Sequence, residues 1–376
     1  MNEQTHFDNV IGFTARRVAE RRLRIAQIAP LYESVPPHTY GGTERVVAYL
    51  TDALVALGHD VTLFASGDSV TAAKLVPGRA RAIRLDHTPL NSDLGVHFAM
   101  LRDIRSRAAE FDVLHFHTDI LHLPMFEDIA SRTVTTLHGR LDLVHLPEVF
   151  DRWRSYPLVS ISNDQRRPVP NANWIATVPH GLPLDFHDEP ATRPGRYLAF
   201  VGRIAPEKRP DRAIAIARRA GFPLKIAAKV DAADAHYFKD EIEPLLHGPG
   251  VEFLGELDER AKRDLLASAT GLLFPIEWPE PFGLVMIEAM ACGTPVIAFR
   301  CGSVPEVIDE GVTGFVVDNE DAAVAACARL AEIDRAGARA VFKEKFSSLT
   351  MAGRYVEIYS RLLEAGRARA KSPTVV

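Results

Sequence analysis

At 376 residues the chain is long enough for two domains, each with a core of its own. Its composition, 47% hydrophobic and 25% charged, is that of a soluble globular protein, and a formal net charge of −5 excludes the basic footprint of a nucleic-acid binder. No apolar run approaches the roughly 18 residues of a transmembrane helix, the N-terminal stretch lacks the pattern of a secretory signal, and Cys292, Cys301 and Cys327 lack metal-ligand spacing; a cytoplasmic protein with reduced thiols is expected.

Residues 1–22 are polar and hold Arg16, Arg17, Arg21 and Arg22, which reads as a solvated lead-in. From residue 23 short apolar runs alternate with helical periodicity. A strand over 23–29 is followed by a loop and a helix over 43–57, apolar at Val46, Val47, Leu50, Leu54 and Leu57 and ended by Gly58. Further strands are expected at 60–65, 112–116, 133–137, 158–161 and 174–178. A Pro- and Gly-rich stretch, 183–195, reads as a linker. A second series then opens at 197–202 and continues through 224–228, 251–254, 272–274 and 296–299. This alternation predicts an α/β protein with parallel sheets covered on both faces. The expected organisation is a polar extension over 1–22, a first Rossmann-like doubly wound domain over 23–185 and a second over 186–349. A last helix over about 350–366, with an apolar stripe through Met351, Tyr355, Ile358, Tyr359, Leu362 and Leu363, is expected to return to the first domain. Ligands of such sheets sit at the carboxyl ends of the strands, so two facing domains would share a central cleft.

The most informative stretch is 274–295. Glu280 and Glu288 bracket a Pro-Phe-Gly turn and the start of an apolar helix that follows a short strand. A helix start offers unpaired backbone N–H groups and a positive dipole end to an anion. The flanking carboxylates can accept hydrogen bonds from sugar or ribose hydroxyls. Phosphate plus polyol describes a nucleotide sugar. Arg203 and Lys208, on the loop after the first strand of the second domain, form a fork and a point charge suited to a diphosphate; the alternative is a solvated loop in which Glu207 pairs internally. Gly41 and Gly42, before the first helix, permit close backbone approach to an anion, or simply make a tight turn. His138 stands at a strand end, as does the cluster His115, Phe116, His117, Thr118, Asp119. His117 and Asp119 are candidate acceptor-side groups or simple hydrogen-bonded structure. His38 lies on a stiff Pro-Pro loop that could line the acceptor side. No Asp-x-Asp pair and no complete metal-ligand set occurs in the sequence, so no metal is expected.

The extended block W-P-E-P-F-G-L-V-x-I-E-A-M-A-x-G-T-P-V resembles the signature of retaining glycosyltransferases of family 4, the glycosyl transferases group 1, which have the two-domain GT-B fold. The resemblance covers residues 23–365, and the whole chain is similar to a bacterial subgroup placed with pteridine glucosyltransferases. It implies a hexosyltransferase without metal or cofactor that moves a sugar from a nucleoside-diphosphate donor, UDP-glucose on family frequency, to an acceptor hydroxyl with anomeric retention. By this likeness Arg203 and Lys208 match the G-R-x4-K cations on the donor diphosphate, and Gly41 and Gly42 match the loop that closes on it. Glu280 and the amides around Phe282, Gly283, Leu284 and Val285 would hold the sugar and phosphate, Glu288 the ribose, and His138 the donor sugar. His180 is a weaker candidate for a donor contact. The Gly-rich turn many relatives carry near the base is replaced here by Lys225–Asp231, which makes Lys229, or Glu256 after the next strand, a candidate base-side contact.

Acceptor class is read from charge. The helix over 43–57 carries one arginine, Arg45, against Glu44 and Asp52, and residues 1–185 hold 19 Lys and Arg against 21 Asp and Glu. No broad positive field results, so a soluble small-molecule acceptor is expected rather than a lipid or polysaccharide at a membrane surface. The rival readings are a sugar-nucleotide epimerase, which would turn over donor without acceptor, and an inactive nucleotide-sugar binding protein.

Overall fold

The structure, a computed structural model, describes residues 21–39, 41–86, 90, 92–187 and 195–371. Arg16, Arg17, Tyr40 and most of the 183–195 stretch lie outside them. The chain divides into two compact units: the first takes residues 1–161, 166–181 and 348–376, the second 162–165 and 182–347.

Unit 1 is built on strands β1 (Arg24–Ile28), β2 (Asp60–Ser66), β3 (Lys74–Arg79), β4 (Val113–Phe116), β5 (Thr133–Thr136), β6 (Leu158–Ser160) and β7 (Trp174–Thr177). They form one parallel sheet in the order β3-β2-β1-β4-β5-β6-β7. Helix α1 (Gly42–Ala56) links β1 to β2, and α2 (Asp93–Ser106) precedes β4. Unit 2 carries β8 (Leu198–Arg203), β9 (Leu224–Lys229), β10 (Val251–Gly255), β11 (Gly271–Phe274), β12 (Val296–Phe299) and β13 (Gly314–Val317), parallel in the order β10-β9-β8-β11-β12-β13. Its helices include α3 (Pro210–Ala220), α4 (Glu259–Ser268), α5 (Leu284–Ala291), α6 (Glu320–Arg329) and α7 (Arg335–Lys345). Both units are therefore the doubly wound α/β class that the alternation predicts.

The strands are apolar because helices cover both faces. Ile25, Ile28, Leu114, Phe116 and Val134 are buried in unit 1, and Leu198, Ile226, Leu272 and Ile297 in unit 2. The edge strand β3 is not evident in the sequence, since Pro77 and Gly78 interrupt it; an edge tolerates a residue that cannot donate to the ladder. The last helix, α8 (Ser348–Lys371), belongs to unit 1 and packs against α1. Its buried stripe runs through Met351, Ala352, Tyr355, Val356, Ile358 and Tyr359.

Strand order reverses direction between β1 and β4 in unit 1 and between β8 and β11 in unit 2. At such switch points the two loops leaving adjacent strand ends diverge to opposite faces and open a crevice for ligand. Both switch points carry a polar array.

Candidate active site

In unit 2, β8 ends at Arg203 and a short turn, Pro206–Lys208, leads into α3. Strand β11 leads into the loop that carries Trp278 and Glu280. The two loops are joined by the Glu277 N–H donating to the Glu207 carbonyl at 2.9 Å. The Lys208 ammonium is paired with the Glu280 carboxylate, and Trp278 Nε1 donates to the same oxygen, Oε2, at 2.8 Å. Lys208 Nζ also sits over two aromatic faces, 5.1 Å from the Trp278 centroid and 5.9 Å from that of Phe274. The cation is thus held in a part-buried position at a switch-point strand end.

Two features missed in the sequence fix Glu280. Gly302, after β12, has φ 57°, and a Cβ there would lie 2.4 Å from the Glu280 backbone nitrogen. Ser303 donates its N–H to the Glu280 carbonyl at 3.0 Å and its hydroxyl to the Phe282 carbonyl at 2.8 Å. The signal was a Gly-Ser pair two residues beyond a strand. Gly283 caps α5 with φ 78°, a left-handed conformation that glycine adopts without strain. The N–H groups of Leu284 and Val285 fall in the first turn of α5, where helical partners are lacking.

Arg203 differs from Lys208. Its guanidinium meets three carboxylates: Glu207 at 2.6 Å, Asp234 at 3.2 Å and Asp231 at 3.7 Å. The internal pairing with Glu207 weighed above is present, and two further acids join it. Lys229 pairs with the other oxygen of Asp231 at 3.0 Å. Glu288 is buried and accepts from Lys262 Nζ at 2.7 Å, with Glu259 3.3 Å from the same ammonium. Lys262 and Glu259, on α4, were not picked out in the sequence. Glu256 is exposed on the loop after β10.

In unit 1, Gly41 precedes α1 with φ 149°, and a Cβ there would come within 2.8 Å of Pro37. Gly42 is the first residue of α1. Arg45 ties the loop down by donating to the Thr39 carbonyl at 2.6 Å. His38 is exposed, as is Asp119, which takes a left-handed φ of 49°. Glu44, in the first turn of α1, is buried, and burial holds its carboxyl above the usual range.

The strand-end histidines form a continuous series, buried at His115 and His117 and half-buried at His138. His138 Nε2 lies 2.8 Å from His117 Nδ1, and His117 Nε2 lies 2.8 Å from Gln27 Oε1. The Gln27 amide nitrogen is 3.2 Å from the Tyr359 hydroxyl and 3.4 Å from His115 Nδ1. Tyr359 Oη is 2.7 Å from His115 Nδ1; His115 Nε2 is 2.7 Å from Thr136 Oγ1, and that oxygen is 2.7 Å from Tyr355 Oη. His180 stacks on His138 with centroids 5.1 Å apart. Burial drives His115, His117 and His180 well below the ordinary imidazole value and His138 down to about 3. His117, expected on the acceptor side, is 2% exposed with both ring nitrogens occupied. It lies behind His138. Gln27, Thr136, Tyr355 and Tyr359 were not picked out as site residues in the sequence.

Among the described residues no group of three or more His, Cys, Asp or Glu is arranged to hold a metal ion, and no helix is long and apolar enough to cross a membrane.

A family model described as Glycosyl transferases group 1 matches residues 185–345, and one described as Glycosyltransferase Family 4 matches residues 40–220. A curated relative, the phosphatidyl-myo-inositol mannosyltransferase of Mycolicibacterium smegmatis, is 26% identical over 334 residues, 80% of this chain and 82% of that protein. Among solved structures, AviGT4, a glycosyltransferase involved in avilamycin A biosynthesis, superposes with a TM-score of 0.69 at 26% identity, over 91% of this chain and 98% of that one. HepE of Anabaena, solved with UDP and glucose, superposes with a TM-score of 0.69 at 17% identity, over 90% and 100%.

Proposed function

We propose that this chain, a glycosyltransferase of the group 1 and family 4 type that moves a sugar from a nucleotide sugar, is a retaining, metal-independent hexosyltransferase using UDP-glucose and a small soluble acceptor. The observation that carries the reading is Lys208 held beside Glu280 at the β8/β11 switch point, next to the first turn of α5. Lys208 supplies positive charge where the diphosphate leaves, and the α5 amides add a helix-end dipole. Glu280 accepts from sugar hydroxyls while keeping the ammonium oriented. Glu288 takes the ribose hydroxyls, and Lys262 holds its carboxylate in place. Arg203 serves the diphosphate only by exchanging carboxylates for phosphate. Lys229 and Glu256 are base-side groups, and Gly41, Gly42, His38 and Asp119 belong to the acceptor-bearing unit.

The glycosidic bond to the phosphate breaks with its electron pair leaving on the phosphate oxygen. The acceptor hydroxyl oxygen bonds to the anomeric carbon on the same face. Its proton passes to the departing phosphate, which preserves configuration without a covalent enzyme intermediate. Cations and helix amides meet the diphosphate charge, so no divalent ion is needed. UDP-glucose as donor is supported by the HepE complex with UDP and glucose, a likeness of fold.

For the acceptor, α1 shows one arginine against two acids, which gives no positive field for an anionic lipid surface and favours a soluble molecule. The second reading is a lipid-linked acceptor, favoured by the name of the M. smegmatis relative. A panel of nucleotide sugars, read by thermal shift and nucleoside-diphosphate release in EDTA, tests the donor. Stabilisation and slow release with UDP-glucose are expected. Silence across the panel would overturn the reading, and turnover only with anionic vesicles carrying phosphatidylinositol would replace the soluble acceptor with the lipid.

A further inference from the structure

The buried series in unit 1 has a direction, and one side chain sets it. Its imidazoles are neutral, because burial disfavours the charged form. A neutral imidazole donates from one nitrogen and accepts at the other. Gln27 Oε1 only accepts, so His117 carries its hydrogen on Nε2 and accepts at Nδ1. His138 must then donate from Nε2, which leaves Nδ1 as a bare lone pair. That Nδ1 is shut off from solvent and has no hydrogen-bond partner among the described residues.

On the other side of Gln27, the amide N–H donates to Tyr359 Oη, Tyr359 donates to His115 Nδ1, and His115 Nε2 donates to Thr136 Oγ1. A half-turn of the Gln27 amide would reverse every bond and move the His138 hydrogen to Nδ1.

We propose that Gln27 and His117 are positioning residues that fix His138 as the Nε2–H tautomer and couple it to the C-terminal helix α8 through Tyr359. The consequence is a matter of specificity. Fixed this way, His138 presents an acceptor, which takes a hydroxyl; reversed, it would present a donor to a carbonyl or ether oxygen. The effect on turnover rests on the reading of His138 as a group at the reacting sugar, whereas the tautomer does not.

Long-range 1H–15N spectra of the full chain labelled at histidine report the tautomer, with the His138 signals assigned by their loss in His138→Gln. The wild type is expected to show a bare Nδ1 and a protonated Nε2. Gln27→Met keeps the volume and leaves the His117–His138 contact untouched, yet it should shift the His138 tautomer. It should also lower kcat about tenfold, with a smaller change in KM for the donor. Tyr359→Phe, which removes only a hydroxyl, should shift the same signals in the same direction if Gln27→Met does not fold. A protonated Nδ1 in the wild type, or an unmoved tautomer in the folded variants, overturns the proposal. A shifted tautomer with unchanged kcat upholds the positioning role and overturns the placement of His138 at the reacting sugar.

Discussion

At the β1/β4 switch point of unit 1 the polar groups are mostly buried and neutral, whereas at the β8/β11 switch point of unit 2 they form ion pairs that reach the solvent. The first series, Tyr359, Gln27, His115, His117 and His138, is ordered by hydrogen-bond direction, with every imidazole held uncharged by desolvation. The second, Lys208, Glu280, Arg203 and its three carboxylates, is ordered by charge. A neutral buried network holds one geometry because each unmade bond is costly there. A part-solvated ionic network exchanges partners at low cost, which suits the leaving-group role proposed for it.

The widest separation of the two arrays comes with acid. In the folded chain His115, His117 and His180 titrate well below 6.5 and His138 at about 3, while an unfolded histidine titrates near 6.5. Between those values the unfolded chain binds the extra protons. Stability is therefore fully present above pH 6.5 and falls as pH is lowered from there toward 3. Each buried histidine contributes about 1.4 kcal/mol per pH unit in that window, so unit 1 should unfold first. Urea titrations between pH 7.5 and 5, followed by a probe in each unit, read this out. Equal loss in both units would mean that the histidines reach water.

Replacing Lys208 by Ala strikes the charged array alone. Its suggested task lies at developing charge, so kcat should fall about a hundredfold to a thousandfold. The unfolding midpoint should barely move, because the pair is part-exposed and Trp278 Nε1 still serves the Glu280 carboxylate. Unchanged turnover would remove the phosphate role. Gly302→Ala acts on the same array through the backbone. A Cβ 2.4 Å from the Glu280 nitrogen forces that loop to move, and a left-handed φ of 57° adds strain of about 1–2 kcal/mol. Activity should drop about tenfold while Lys208 remains in place. Wild-type kinetics in a folded Gly302→Ala protein would show that the position of Glu280 is not critical.

The contrast also governs what the sequence discloses. Strand–helix alternation exposes the fold class because each strand is covered on both faces and so reads as an apolar run. The charged groups are visible for a local reason: Arg203 and Lys208 share one loop, and Glu280 and Glu288 share one loop and helix start. The neutral series is scattered over β1, β4, β5 and α8. Its histidines show as strand-end residues, but what joins them is marked only by Gln27, a polar residue inside the apolar run Ile25-Ala26-Gln27-Ile28. Tyr355 and Tyr359 read as part of an apolar stripe, since four-residue spacing places both on one helix face without telling what their hydroxyls meet. Two of the three carboxylates around Arg203 escaped in a similar way. Asp231 and Asp234 follow the neighbouring strand β9, and only the sheet order β9-β8 brings them to the guanidinium.

That competition for Arg203 yields the smallest effect and the finest probe of the charged array. Asp231 bridges two cations, with Oδ1 at 3.0 Å from Lys229 and Oδ2 at 3.7 Å from Arg203. Removing the ammonium in Lys229→Met leaves Asp231 to turn wholly toward Arg203. A guanidinium held more tightly by carboxylates is less available to phosphate, so KM for the donor should rise about twofold to threefold, an effect of well under 1 kcal/mol that suits an exposed pair. Stability should stay within about 0.5 kcal/mol of wild type. The double variant Lys229→Met with Asp231→Asn should restore KM only in part, because the competitor is then gone while the base-side ammonium is still missing. Full recovery would remove the base-side role of Lys229 and leave its pairing with Asp231 as the account of that residue.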